Sequence, residues 1–159
     1  MTRVDFYVLP AGGCGDRLTF ACRIAEKAFL QDHKIYVHSA SATEAEQLDG
    51  LLWTFRDASF VPHAIVTAQI DDDPELPPVL IGYDDATGAA GTDRISSLKS
   101  SNASGDALLI NMAGEVPNFF ERFARVAELI GAGEDDRQLG RARFRFYRDR
   151  GCPVETHRL

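Results

Sequence analysis

The residues with the clearest chemical character form a short run near the C-terminus in which arginines alternate with aromatic residues. At about 100° per residue, a helix would bring Arg141, Phe144, Arg145 and Arg148 within about 100° of one another. Guanidinium groups bind a carboxylate or a phosphate bidentately, and a neighbouring ring adds apolar contact. This helix face therefore predicts a site for a peptide that ends in an aromatic residue and a free carboxylate, or for a phosphate beside a stacked base.

The other side chains of this helix are predicted to point elsewhere. Ala142 and Phe146 are expected to face the core. Arg143 projects about 160° from Arg145, so it is expected to contribute little to a site on the arginine face. The alternative interpretation is that the arginines form a solvated helix face paired with nearby carboxylates, as most runs of charge do.

The glycine-rich segment after the first predicted strand does not match a nucleotide-binding motif. Gly13-Cys14-Gly15 would need a third glycine where Leu18 stands, and His38-Ser39 replace the acidic residue that binds a ribose hydroxyl. No Walker-type lysine and hydroxyl pair follows either. A tight turn between a strand and a helix is the better interpretation.

The chain shows no spacing typical of a metal centre or a catalytic nucleophile. Its four histidines are not paired with His, Cys or carboxylates at HxH, HExxH or CxxC spacing. The three cysteines lack CxxC spacing and indicate reduced thiols in a cytosolic protein. Asp71-Asp72-Asp73 lies beside prolines without the glycine turn of a calcium loop, which favours a solvated loop. We therefore expect no catalytic residue, no metal and no cofactor.

Strands and helices alternate in the first half of the chain. Ser41 and Glu44 form a capping box before a predicted helix. The order strand, helix, strand, helix is typical of parallel strands joined by crossover helices. Strands are predicted at 3–9, 34–38, 79–83 and 107–112, helices over 18–29 and after Ser41, and an extended edge segment at 59–66.

A pair of helices is predicted to close the chain. The first would begin at Asn118 and carry apolar residues at helical spacing to Ile130, and the second would run from about Glu134 to Arg150. Gly151 and Pro153 mark its end. The predicted fold class is therefore α/β, a mostly parallel sheet flanked by helices with a C-terminal helix pair. We expect a single domain over residues 1–159, with loop insertions at 71–78 and 84–105.

The charge of the chain is unevenly distributed. The net charge is −7, but residues 137–159 contain seven arginines and two carboxylates, which leaves −12 for residues 1–136. An acidic body argues against general wrapping of nucleic acid, and the basic end favours one localised anionic partner. No apolar stretch approaches the ~20 residues of a membrane span, and no signal-peptide pattern is present, so we expect a cytoplasmic protein.

Three segments together resemble the chi subunit of bacterial DNA polymerase III. They are Leu48-Asp49-x-x-Leu52-Trp53, Ser59-Phe60-Val61-Pro62-His63, and the Arg-x-Arg-Phe-Arg-x-Tyr-Arg helix over 141–148 followed by Gly151. The resemblance spans nearly the whole chain, although 71–105 is longer and more acidic than is typical of that family.

The resemblance implies a Rossmann-like fold without nucleotide-dependent catalysis. It implies an accessory subunit of the clamp-loader assembly, a component of a DNA-directed DNA polymerase complex. Such a subunit binds the acidic, phenylalanine-terminated C-terminal tail of single-stranded-DNA-binding protein, pairs with a psi subunit where one exists, and contacts DNA only indirectly.

The resemblance also carries over particular positions. The tail-binding face corresponds to Arg141, Phe144, Arg145 and Arg148, with Phe144 where tyrosine is common and Arg145 where lysine is common. Trp53 and Phe60 match aromatic residues beside that helix, and Pro62 and His63 are candidates for a subunit contact. Two alternatives stay open, namely a Rossmann-like enzyme that acts on a nucleotide or acyl group, and a module that binds single-stranded nucleic acid directly.

Overall fold

The computed structural model describes most of the chain apart from several connecting segments. The described residues are 2–9, 17–31, 33–39, 41–54, 63–65, 79–83, 107–112, 116, 120, 123–131 and 133–158. Within them the strands are β1 Arg3–Val8, β2 Lys34–Ser39, β3 His63–Ile65, β4 Val79–Tyr83, β5 Ala107–Asn111, β6 Arg125–Ile130 and β7 Val154–Arg158. The helices are α1 Arg17–Leu30, α2 Ala42–Thr54 and α3 Glu134–Asp149.

The seven strands form one sheet in the order β3-β4-β2-β5-β6-β1-β7. All six neighbouring pairs run parallel. The predicted α/β class with a mostly parallel sheet is therefore confirmed. None of the described helices is long and apolar enough to cross a bilayer.

Helices cover both faces of the sheet, because alternate residues of each strand point to opposite sides. One face packs against α1 and α2 and is built from buried residues such as Ile35, Val37, Ile81, Ala127 and Leu129. The other face packs against α3 and includes Val4, Phe6, Tyr36, Leu109, Val126 and Tyr147. Strands buried on both faces explain the near-continuous apolar runs of the central sheet.

Local sequence signals place α1 and α2 as predicted. The stripe on α1 is buried at Ala21, Cys22, Ala25 and Ala28. The Ser41 hydroxyl accepts a hydrogen bond from the backbone N–H of Glu44 at 3.2 Å, so Ser41 caps the helix that begins at Ala42.

The predicted C-terminal helix pair is wrong, because β6 occupies the second half of its first member. Arg125–Ile130 is a strand, and every residue after Arg125 in it is buried. Short apolar runs fit helical spacing and a two-sided strand equally well. The chain then adds an unpredicted strand, β7, whose residues pair in parallel with β1 from Val4↔Val154 to Val8↔Arg158.

Several sequence predictions fall on residues outside those that the structure describes. These are the loop insertions at 71–78 and 84–105, the turn at Gly13-Cys14-Gly15, the cap at Asn118, and the aromatic and proline positions Phe60 and Pro62.

Helix α3 ends at the predicted glycine. Gly151 has a φ of 79°, and its N–H donates to the carbonyl of Arg148 at 3.0 Å. The N–H of Cys152 donates to the carbonyl of Tyr147 at 3.1 Å. These two bonds form a Schellman motif, which requires a left-handed residue after the helix.

Replacing Gly151 with alanine is expected to destabilise the protein by about 1–2 kcal/mol, because a Cβ disfavours the left-handed conformation. No atom lies within 4 Å of the position that this Cβ would take, so the loss would report backbone conformation alone. Urea unfolding of the two proteins measures it. Equal stability of Gly151→Ala and the wild type would contradict this account.

Candidate functional site

A groove of about 460 Å³ opens between α3 and the β1–β7 edge of the sheet. We call it the α3 groove. Its floor is apolar and is formed by Phe6, Val8, Leu9 and Ile130. Helix α3 supplies Arg137, Gly140, Arg141 and Phe144, and β7 supplies Thr156 and Arg158. The groove therefore combines apolar depth with a basic rim.

The spacing of α3 places its four contributions on one side of the helix. Positions 137, 140, 141 and 144 follow the pattern i, i+3, i+4, i+7, which defines one helical face. Gly140 lets the helix approach the sheet, since a Cβ there would lie 2.4 Å from Cδ1 of Ile130. The Phe144 ring packs against Phe6 with centroids 5.6 Å apart.

Three guanidinium groups give the rim its charge. Arg141 lies 3.9 Å from Glu134, and both side chains are largely exposed, so this pair is weak. Within the described part of the chain, Arg137 and Arg158 form no ion pair. A carboxylate that enters the groove would therefore meet guanidinium forks that no strong internal partner occupies.

A buried polar network holds α3 on the sheet behind the groove. Glu128 of β6 is fully buried and lies 2.8 Å from Nε of Arg143. The Tyr147 hydroxyl donates to Oε1 of Glu128 at 2.5 Å, and the Asn111 amide donates to the same oxygen at 2.8 Å. Burial raises the pKa of Glu128, and the charge of Arg143 and the two hydrogen bonds oppose that rise.

Arg143 belongs to this buried network and not to the α3 groove. Its side chain is 6% exposed and pairs with a carboxylate that has no exposure. Arg143 points away from the groove as predicted, but it points into the core, where its loss would affect the fold. The orientation predicted for Ala142 is wrong, because Ala142 is exposed. Phe146 is half-buried and contacts Phe120 and Tyr147.

The structure brings together only part of the predicted tail-binding face. Arg141 and Phe144 line the α3 groove. Arg145 and Arg148 are exposed on α3 and do not line it. They extend the basic surface of the helix beyond the groove.

Trp53 lies far from this groove. It lies in the last turn of α2, which packs on the opposite face of the sheet, and it contacts His63 of β3, with ring centroids 4.7 Å apart. Six strand spacings of about 4.8 Å separate β3 from β7, which is roughly 29 Å. The expectation that Trp53 sits beside the arginine helix is therefore wrong. Trp53 is 51% exposed, whereas the His63 side chain is enclosed, with Nε2 3.1 Å from both Oδ1 and the carbonyl of Asp49.

Sequence reasoning missed half of the groove. Arg137 precedes Arg141 by one turn, so extending the helical face backwards would have found it. Arg158 and Thr156 lie on a strand that the sequence analysis did not predict. The floor residues Phe6 and Val8 look like ordinary core positions until β7 is paired with β1.

An ion-pair cluster occupies the opposite side of β1 and β7. Asp5 accepts a hydrogen bond from Arg125 at 2.8 Å and lies 3.3 Å from Nε2 of His157. Arg3 contacts both Asp5 and Glu155. Asp5, Glu155 and His157 bring ligand-type atoms within 4.8 Å of one another, but the two arginines already neutralise the carboxylates. The cluster is therefore a charge network that joins three strands.

This network lowers the pKa of Asp5 below its ordinary value of 3.8. Burial alone would raise that pKa, but hydrogen bonds from Arg125 and His157 and the charges of Arg125 and Arg3 outweigh it. A lowered carboxyl pKa stabilises the fold above pH 3.8 and ceases to do so as the pH falls through the folded-state value.

Asp5→Asn is therefore expected to be less stable than the wild type at pH 7, with a difference that shrinks as the pH falls below 3.8. Thermal unfolding of both proteins from pH 7 to pH 2.5 measures that difference. A stability gap that stays constant across this range would show that the charge of Asp5 contributes nothing.

The α3 groove is suited to binding rather than to acid–base chemistry. Its polar groups are guanidinium forks and the Thr156 hydroxyl, and its floor is apolar. Such a site holds an anionic group at the rim and an apolar or aromatic group in the depth.

Comparison with known proteins agrees with this architecture. Residues 1–155 match the family model of the DNA polymerase III chi subunit, HolC. The chain is 40% identical over 159 residues to DNA polymerase III subunit chi of Pseudomonas aeruginosa, covering 100% of this chain and 98% of that subunit. It is 23% identical over 155 residues to the Haemophilus influenzae subunit chi, covering 98% and 96%.

A solved structure shares the fold alone. The crystal structure of T4 UvsW superposes with a TM-score of 0.59 at 10% identity, over 99% of this chain and 42% of that chain. The match to the family model and the identity to the Pseudomonas subunit both extend over almost the entire sequence. The chain therefore belongs to the family of DNA polymerase III chi subunits.

Proposed function

We propose that the α3 groove binds the acidic, phenylalanine-terminated C-terminal tail of single-stranded-DNA-binding protein. Membership of the chi family makes the protein a subunit of DNA polymerase III that acts in DNA replication. In the proposed role it links the clamp-loader assembly to the binding protein on single-stranded DNA. The observation that supports this most is an apolar floor edged by three arginines in one groove.

The apolar floor and the basic rim of the groove match the aromatic ring and the α-carboxylate of the tail's last residue. The terminal ring would lie on the apolar floor against the packed rings of Phe6 and Phe144, whose centroids are 5.6 Å apart. The α-carboxylate would be held by the guanidinium fork of Arg141, with Arg137 and Arg158 also lining the groove.

Arg145 and Arg148 have a secondary part in this proposal. They are exposed on α3 outside the groove, where they would attract the acidic residues that precede the terminal phenylalanine. Exposed charges of this kind raise association rates more than affinity, and salt screens them. Their contribution is therefore expected to fade at high ionic strength.

A second surface favours a subunit contact. Trp53 is a large, half-exposed aromatic residue at the far edge of the sheet, and it is held in place by the enclosed His63 ring. Exposed aromatic residues are enriched at protein interfaces. We assign this edge, with Phe60 and Pro62 as its neighbours in sequence, to the psi subunit where one is present.

The proposal makes the protein a non-catalytic member of a nucleotidyltransferase complex. It would work in the cytoplasm, and tail binding would connect it to DNA indirectly, through single-stranded-DNA-binding protein. The two surfaces lie on opposite faces and edges of the sheet, so both partners could bind at once.

Isothermal titration of the full chain with a peptide of the last ten or so residues of the binding protein tests the proposed function. We expect saturable binding that is lost when the terminal phenylalanine is deleted and strongly reduced when the α-carboxylate is amidated. Deleting the phenylalanine removes the ring that would contact the apolar floor, and amidation removes the charge that the guanidinium groups would bind. Equal affinity for the intact and the shortened peptide would contradict the proposal.

A further inference from the structure

A second cavity, of about 400 Å³, lies between α1 and the sheet on the face opposite the α3 groove. We call it the α1 cavity. It is bounded by the α1 residues Phe20, Arg23 and Lys27 and by Tyr7 and Arg125 of the sheet. Nothing in the proposed function uses this cavity.

The inner wall of the α1 cavity is largely apolar and consists of packed side chains, and the buried carboxyl of Asp5 also lines it. The Tyr7 ring is stacked on His157 at 5.0 Å and contacts Phe20 at 5.4 Å between centroids. Ile24 and Leu108 continue the apolar lining. Because these side chains are held by neighbours, the wall is already formed without a ligand.

The rim of the α1 cavity carries excess positive charge in an otherwise acidic body. Arg125 is balanced by Asp5, to which it donates at 2.8 Å. Arg23 and Lys27 lie one turn apart on α1, and within the described residues neither forms an ion pair. Two cations without an ion-pair partner among the described residues therefore line the cavity. They stand out because residues 1–136 as a whole carry a net charge of −12.

We propose that the α1 cavity binds a phosphomonoester on an apolar or ring-bearing body, of the kind that a mononucleotide presents. A phosphomonoester carries between −1.5 and −2 charges near neutral pH, which matches the two free cations better than a single carboxylate does. Arg23 and Lys27 would hold the phosphate. Tyr7, Phe20 and Ile24 would contact the body.

This chemistry has two sources in a replication complex, a free nucleotide and the 5′-phosphorylated end of a strand. A cavity of this volume lies in the range of small-ligand sites. Ligand binding in the α1 cavity is expected to be independent of tail binding, because the two sites are on opposite faces of the sheet.

The test is titration of the full chain with thymidine 5′-monophosphate, followed by amide chemical shifts and calorimetry. We expect saturable binding that changes the amide chemical shifts of Tyr7, Phe20 and Ile24. We expect thymidine without phosphate to bind at least about tenfold more weakly, since a charge-assisted hydrogen bond has about that effect. Inorganic phosphate is also expected to bind more weakly, because it lacks the apolar body.

Two variants separate this site from the α3 groove. Lys27→Ala, or the double variant Arg23→Ala with Lys27→Ala, is expected to weaken nucleotide binding about tenfold or more and to leave binding of the tail peptide unchanged. Arg141→Ala is expected to do the reverse. Because Arg23 and Lys27 are exposed, neither substitution removes core packing.

A pair of oligonucleotides of one sequence, with and without a 5′-phosphate, identifies the source. Phosphate-dependent binding of the strand supports strand ends, and binding of the mononucleotide alone supports a free nucleotide. The proposal is wrong if the double variant binds as the wild type does, if inorganic phosphate binds as tightly as the nucleotide, or if no saturable binding occurs up to millimolar ligand.

Discussion

Replacing Arg141 with alanine is expected to weaken binding of the acidic tail peptide about ten- to a hundredfold, because one charge-assisted hydrogen bond contributes roughly 1.5–3 kcal/mol. Arg141 lines the α3 groove, and its internal partner Glu134 is 3.9 Å away and exposed. Removing the guanidinium is therefore expected to change the stability of the free protein very little. Calorimetric titration at fixed salt measures the change in Kd.

Matched substitutions make this prediction specific. Arg141→Lys is expected to be milder than Arg141→Ala, because the point charge remains while bidentate geometry is lost. Arg148→Ala changes the same residue type on the same helix but outside the groove, so its effect is expected to be small and salt-dependent. If Arg148→Ala weakened binding as much as Arg141→Ala, the carboxylate would have to bind elsewhere.

The sequence predicts helix α3 well because its signals are local. Helical spacing places Arg141 and Phe144 on one face, and Gly151 ends the helix with a φ of 79°. These features depend on residues within one or two turns of each other. The same is true of the Ser41 cap on α2.

Strands β6 and β7 could not be predicted from local signals in the same way. Residues 125–130 fit both helical spacing and a two-sided strand, and only their pairing with β1 and β5 decides between them. β7 is a half-exposed strand with weak alternation, and it pairs with residues about 150 positions earlier. Long-range pairing of this kind leaves little trace in local sequence.

The candidate site shows the same division. Its helical half follows from spacing, whereas its floor at Phe6 and its rim at Arg158 exist only because β7 joins β1. The resemblance in sequence places Trp53 beside the arginines, whereas the strand order puts Trp53 and the arginine helix at opposite ends of the sheet. Residues near each other in a motif description can belong to different surfaces.

Arg143 is the residue whose role changes most when the structure is known. By helical angle it is the arginine that faces away from the groove, and by burial it is a core residue paired with Glu128 at 2.8 Å. The ion pair joins α3 to β6, so the position of the groove residues on α3 depends on it. A loss of tail binding in an Arg143 variant would report loss of structure.

Arg143→Ala is expected to destabilise the fold by about 3–5 kcal/mol, because it leaves the carboxylate of Glu128 buried without its cation. Burial already raises the pKa of Glu128, and removing Arg143 would raise it further. The variant should therefore regain part of its lost stability at acid pH, where Glu128 takes up a proton. Urea unfolding of wild type and variant between pH 4.5 and pH 8 measures both effects.

A paired substitution separates the buried charge from lost packing. Arg143→Met combined with Glu128→Gln removes both charges, keeps side chains of similar length, and leaves an amide that can still accept from Tyr147 and Asn111. This double variant is expected to be more stable than Arg143→Ala, as replacing both partners of a buried pair is often nearly neutral. A double variant as unstable as Arg143→Ala, or an Arg143→Ala stability loss that does not change with pH, would show that the arginine acts through packing and not through its charge.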